Sequence, residues 1–280
     1  VNTSLNASDA PRAAAPAAPD GWKVLHDGGP GELVLAVDYA STGRRESSFF
    51  DIVPNLPADR TVWETTQPAL GQETDMGGAA YVARWMRAVT ESGRYVRAVM
   101  GYCVGSVFAA ALAEEIGRIQ AEPPAVLMFD PSVPVSVNLR HDFCNVIDHY
   151  ATILTEDEVV HCKAEAHRLF AEDDDFDRLG ARYSRMFEEV VETAFVRSEL
   201  DVELGRELSD TFVSFVRYLV AARQVDPSRV WARGTAVSSR DSTPAADLAG
   251  REIQFDIDHL DILRDPGVGR AVTELLTAPR

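Results

Sequence analysis

The sequence predicts an α/β fold, a mainly parallel sheet with helices on both faces, and three observations carry that prediction. Continuous apolar runs such as Glu32 to Asp38 and Ala125 to Asp130 alternate with segments of helical period, as expected for buried strands joined by right-handed crossovers. A β-type run from Tyr95 to Met100 passes through Gly101-Tyr102-Cys103-Val104-Gly105 into a stretch with Val107, Phe108, Ala111, Leu112 and Ile116 at helical spacing. From Pro131 to about Asp226 only helical periods remain, and strand-like runs resume after them.

Taken in order, residues 1–20 are Ala, Pro and small polar residues with almost nothing to bury, and they read as a flexible Ala/Pro-rich tail. Such a tail suits both a stand-alone protein and a module of a longer chain. The folded domain is expected over residues 21–280. Glu32 to Asp38 is its first long strand and ends in a loop of small residues, Tyr39 to Gly43. Thr61 to Thr66 is a second short strand, and Tyr81, Val82, Trp85, Met86 and Val89 mark an amphipathic helix running to about Ser92. The Tyr95 strand, the Gly-Tyr-Cys-Val-Gly turn and its helix follow, then the Ala125 strand, stopped by Pro131.

Residues 131–226 form an inserted helical lid in this reading. Residues 155–171 are helix-like, and Phe187, Val190, Val191, Ala194 and Phe195 keep a helical period, as do Leu208, Phe212, Phe215, Val216 and Leu219. An insertion of this size at a strand end usually covers a site. The sheet is expected to resume at Arg229 to Thr235 and Glu252 to Ile257, with a last helix from about Val268 to Leu276.

Composition narrows the function. A net charge of −17 opposes binding to nucleic acid or to an anionic membrane, and no apolar run approaches a membrane span. Three scattered cysteines, Cys103, Cys144 and Cys162, give no disulfide framework. With no recognisable signal peptide, the expectation is a cytoplasmic protein. The basic residues are nearly all Arg, with Lys only at positions 23 and 163. His141, Cys144, His149, His161, Cys162 and His167 fit no compact zinc spacing, so no metal is expected, nor any cofactor. The run Glu172 to Asp175 reads as a solvated loop or helix start.

The central turn carries the chemistry. A strand-to-helix turn of this kind forces its middle residue into a strained backbone conformation, and flanking glycines let strand and helix pass closely. A thiol at the first turn of a helix lies near the positive end of the macrodipole, which favours thiolate. Cys103 is therefore the candidate nucleophile.

With Phe129-Asp130-Pro131 at the end of the next strand and Asp258-His259-Leu260-Asp261-Ile262-Leu263 near the C-terminus, the chain resembles the α/β-hydrolase family, in particular the thioesterases of polyketide and nonribosomal peptide assembly lines. The resemblance covers residues 21–280 and implies the α/β-hydrolase fold with the helical insertion as its lid. It implies a triad of Cys103, His259 and Asp130, and an oxyanion hole of backbone N–H groups from Val104 and Ala40. Asp241, in Ser238-Ser239-Arg240-Asp241-Ser242-Thr243-Pro244, is the alternative acid. Cys replaces the family's Ser, and the loop at Ala40 lacks the family's usual wording.

The function so implied is acyl transfer in natural-product, including antibiotic, biosynthesis. An acyl or peptidyl chain would pass from the phosphopantetheine of a carrier protein onto Cys103, and leave by cyclisation, transfer or hydrolysis. Loading a thiol from a thioester keeps the driving force for a demanding second step. Arg44, Arg45, Arg84, Arg87, Arg94 and Arg97 would attract an acidic carrier or stand as ordinary solvated arginines. Two rivals remain: a dienelactone-hydrolase-like lactone or ester hydrolase, and a non-catalytic hydrolase fold that binds an acyl ligand.

Overall fold

The computed structural model of the chain describes residues 18–39 and 45–279. Most of the expected tail, the loop containing Ala40, and Arg44 lie outside the described residues.

In chain order the elements are β1 (Trp22–His26), β2 (Leu33–Val37), α1 (Phe49–Ile52), β3 (Thr61–Thr65), α2 (Gly78–Ser92), β4 (Val96–Tyr102), α3 (Gly105–Ile119) and β5 (Ala125–Phe129). The helices α4 (Ser136–His149), α5 (Glu156–Glu172), α6 (Phe176–Arg197) and α7 (Val202–Ala222) follow. The chain closes with α8 (Ser228–Trp231), β6 (Thr235–Ser238), β7 (Arg251–Gln254) and α9 (Pro266–Thr277). The sheet has seven strands in the order β1-β3-β2-β4-β5-β6-β7. All neighbours are parallel except β1, which runs antiparallel to β3.

Alternate side chains of β2 feed two cores, as the pleat requires. Leu33, Leu35 and Val37 face α2 and α3, while Val34 and Ala36 face the layer that holds Phe49, Ile52, Val268 and Val272. Trp85 on α2 is fully buried, and its indole N–H donates to the Thr66 carbonyl at 3.3 Å. Burial of such a ring with its one polar atom satisfied is what ties an amphipathic helix to a sheet.

Two expectations are corrected. No strand is expected before Glu32, yet β1 forms there as an edge strand along Thr61–Thr65, with Trp22 buried and Lys23 exposed. The expected strand at Arg229 to Thr235 is instead a helical turn followed by a later strand. Asp226 Oδ1 accepts the Ser228 N–H at 3.0 Å and starts α8, which carries Trp231 inward so that its indole donates to the Ser106 carbonyl at 3.0 Å. Only past Gly234 does β6 begin.

Helices α5 to α7 are capped by their own sequence. Thr155 and Glu158 make a reciprocal capping box on α5, Asp175 caps α6, and Asp201 caps α7. The acidic run thus ends one helix and starts the next. The four helices share an aromatic interior, with Phe143 stacked on Tyr183 at 4.8 Å and Phe187 against Phe212 at 4.9 Å. Aromatic contact continues into the body, where Tyr218 of α7 meets Phe108 of α3 at 4.8 Å and Tyr81 of α2 at 5.7 Å. The insertion is therefore joined to the sheet layer by one continuous core.

Candidate active site

Strand β4 ends at Tyr102 and α3 starts at Gly105, so Cys103 has to turn the chain in very little space. Its φ is +49°, a left-handed conformation that costs a non-glycine residue about 1–3 kcal/mol. Backbone hydrogen bonds hold it there. The Cys103 N–H donates to Phe129 O at 2.9 Å, and the Ser106 and Ser132 N–H groups donate to Cys103 O at 3.1 and 3.3 Å. A Cβ on Gly101 would lie 2.4 Å from Ser106 Cα, and one on Gly105 would lie 2.2 Å from Val37 O. Ser106 is fully buried, and its hydroxyl donates to Gly101 O at 3.0 Å.

His259 sits on a single 3₁₀ turn after β7, started by Asp258, whose carboxylate accepts the Leu260 N–H. The imidazole Nδ1 lies 2.7 Å from Asp130 Oδ2. Asp130 is 1% exposed at the end of β5, with φ +42°, and its other oxygen accepts the Ser239 N–H at 2.7 Å. Both oxygens of this buried carboxylate are thus engaged, as a buried charge requires. Asp241 is exposed beside Arg240 and does not reach the imidazole. The structure brings Asp130, and not Asp241, to His259.

The second imidazole nitrogen is committed elsewhere. Nε2 lies 3.0 Å from the hydroxyl of Tyr102, and the two rings stack at 5.2 Å with planes 13° apart. Among the described residues no hydrogen bond joins His259 to the Cys103 thiol. With Asp130 accepting from Nδ1–H, the neutral ring presents a bare Nε2, so Tyr102 donates to it. When Nε2 carries a proton the roles reverse, and the Tyr102 hydroxyl can turn to the His259 carbonyl at 3.3 Å.

The helix-terminus expectation of a thiolate is overturned. Burial pushes the Cys103 thiol up to about 12, with Asp142, Asp38 and Asp130 adding to the rise and the Val104 N–H hydrogen bond opposing it. Desolvation and nearby carboxylates outweigh the helix end. Burial and these carboxylates favour the neutral thiol. Val104 places its backbone N–H at the thiol, as an oxyanion donor would need, and Ala40 lies outside the described residues.

A cavity of about 530 Å³ opens above Cys103 and His259. Helix α4 lines it with Asp142, Asn145, Val146 and His149, which share one helical face. Helix α7 supplies Leu208, Thr211, Phe212, Phe215 and Tyr218. Glu46 also lines it. Asp142 has Glu46 as its charged neighbour, and burial together with that like charge raises its carboxyl to about 7. Sequence reasoning missed Tyr102, Glu46, Asp142 and Tyr218 as cavity residues. Tyr102 stood inside the motif and the α4 spacing would have given Asp142 a face, but no local signal points Glu46 at the site.

Of the arginines read as a carrier patch or as ordinary solvated residues, four have partners among the described residues of the chain. Arg84 donates to Thr66 O at 2.6 Å, Arg94 to Gly29 O at 2.6 Å and Gly31 O at 2.7 Å, and Arg97 to Leu276 O at 2.8 Å. Arg87 pairs with Asp20 at 3.1 Å. Among the described residues no helix is long and apolar enough to cross a membrane.

No family model matches the chain, and no curated protein matches it. Solved structures do. A Vlm2 thioesterase domain with genetically encoded 2,3-diaminopropionic acid, bound with a dodecadepsipeptide, is 13% identical with a TM-score of 0.52, over 91% of this chain and 96% of that one. The enol-lactonase from Burkholderia xenovorans LB400 is 15% identical with a TM-score of 0.50, over 92% of this chain and 96% of that one. With its mostly parallel seven-stranded sheet, flanking helices and these structural relatives, the chain has the α/β-hydrolase fold.

Proposed function

We propose that this protein is a thioesterase or acyltransferase that takes an acyl or peptidyl chain from a carrier-protein phosphopantetheine thioester onto Cys103. The observation that carries this reading is a strained thiol at a strand-to-helix turn, on the floor of a cavity, beside an imidazole fixed by a buried carboxylate. A thioesterase domain with a depsipeptide bound shares the fold, which accords with an acyl or peptidyl substrate.

With the neutral thiol favoured, catalysis proceeds by general-base attack and not through a resting ion pair. Nε2 of His259 leaves Tyr102 and takes the thiol proton as Sγ bonds to the thioester carbonyl carbon. Asp130 holds Nδ1–H and stabilises the imidazolium. The Val104 N–H, with a second donor from the loop after β2, receives the developing oxyanion; one such donor is worth about 3 kcal/mol. Collapse returns the proton to the departing pantetheine thiolate. Water, an alcohol or an amine then attacks the acyl-Cys103 thioester, His259 removes its proton, and the free thiol is restored. The exchange of one thioester for another loses little free energy, which supports cyclisation or transfer as the releasing step.

An enol-lactonase also shares the fold, and lactone hydrolysis is the second enzymatic reading. The cavity of about 530 Å³ between α4 and α7 is more than a small ring needs and favours the longer acyl chain. The test is intact-protein mass after mixing with a panel of acyl-pantetheine thioesters. A mass gain equal to the acyl group in wild type, lost in Cys103→Ala and slowed about a hundredfold or more in Asp130→Asn, is the expected result. No adduct and no turnover with any thioester, with hydrolysis of lactones instead, would overturn it.

A further inference from the structure

Resting on the acyl-transfer reading of the same cavity, we propose that its substrate carries a protonated amine, seated against Asp142 and Glu46. The cavity is mixed in character. Leu208, Phe212 and Phe215 line it from α7, and the acids Asp38, Glu46 and Asp142 line it too. Among the described residues no Lys or Arg lines it, in a chain with 27 of them.

The carboxylates of Asp142 and Glu46 have no ion pair and no hydrogen bond among the described residues; the charged neighbour of Asp142 is Glu46, another acid. Several other acids of the same helical layer are matched. Asp148 binds Lys163, Glu158 binds Arg197, and Asp173 binds Arg178. An unmatched pair of like charges facing a cavity is a cost that a cation removes.

A second observation points to a ligand independently. Tyr218 is 1% exposed and lines the cavity, and its buried hydroxyl has no hydrogen-bond partner. The hydroxyl lies in the field of Asp38, Tyr39 and Cys103, all of which line the same cavity. A buried hydroxyl without a partner is unusual in a folded protein and is satisfied when a polar group enters. An ammonium group supplies donors for both carboxylates, and the amide or ester groups of an acyl chain can accept from Tyr218. Burial is the main cause of the raised Cys103 thiol, and the same cation would offset only the smaller part that Asp142 adds.

The ammonium can belong to the acyl chain or to an amine acceptor, and the experiment separates these sources. Calorimetric titration uses the Cys103→Ala protein, so that no acylation is needed, at pH 8. One arm compares alkyl carboxamides of equal length ending in an ammonium or a methyl group; the other adds a free alkylamine to the methyl-ended amide. Preference for the charged ligand by about tenfold or more in the first arm places the amine on the acyl chain. Enhancement of neutral-ligand binding by the free amine in the second places it on the acceptor. In either case Asp142→Asn, and separately Glu46→Gln, should bring the preference down severalfold. Equal binding of charged and neutral ligands in the first arm, with no enhancement by the free amine in the second, overturns the proposal, whatever the outcome of the thioester panel.

Discussion

At the scale of single residues, the unusual pair is Tyr102 and His259. In most triad logic the imidazole rests against its nucleophile, yet here Nε2 sits 3.0 Å from a tyrosine hydroxyl contributed by the residue just before the nucleophile. The imidazole must give up that bond before it can accept from Cys103. A net hydrogen bond of this kind is worth about 0.5–1.5 kcal/mol. Tyr102→Phe keeps the stacked ring and removes the bond, so single-turnover acylation is expected to accelerate by about two- to tenfold. A slower rate would mean that the hydroxyl assists the imidazole, for example by stabilising its protonated form.

At the scale of elements, the elbow depends on how closely α3 lies against β2. Gly105 opens α3 directly against the Val37 carbonyl, with no room for a methyl group. Gly105→Ala has to push helix from strand where α3 meets the end of β2. The expected cost is about 3 kcal/mol, read as a lower denaturant midpoint at unchanged slope. The shift also moves the Val104 N–H away from the thiol, so acylation should fall in the variant even below its unfolding midpoint.

At the scale of the whole molecule, the helical insertion and the sheet layer share one core, and the charge in the cavity between them acts on the stability of both. Asp142 holds its proton to about pH 7 in the folded chain, whereas an aspartate in the unfolded chain releases it near pH 4. Between these values the native state binds more protons than the unfolded state, so Asp142 lowers stability as pH rises through that window. Asp142→Asn is expected to gain on the order of 2 kcal/mol at pH 8 and nothing at pH 4. Melting temperatures at the two pH values check this; a gain of equal size at both would assign the effect to packing and not to charge.

The chain's local patterns were enough to determine the parallel α/β plan, the turn at Cys103, the helical interruption and the last helix, because apolar period and turn chemistry are properties of neighbouring residues. Trp22 to His26 and Arg229 to Thr235 misled for the converse reason. An edge strand needs its partner Thr61–Thr65 to exist, and Trp231 is turned inward by a carbonyl on α3. Of the candidate site, the motifs named Cys103, Asp130 and His259 but left Asp130 and Asp241 unresolved. Only the folded backbone brings the Asp130 carboxylate to the imidazole and leaves Asp241 in solvent. The state of the thiol likewise belonged to tertiary structure. The helix end is local and favours ionisation, but burial and Asp142 arrive from elsewhere in the chain and outweigh it. Pattern along a chain decides which elements form; the field and the contacts at a site come from residues distant in sequence, and only their packing decides those.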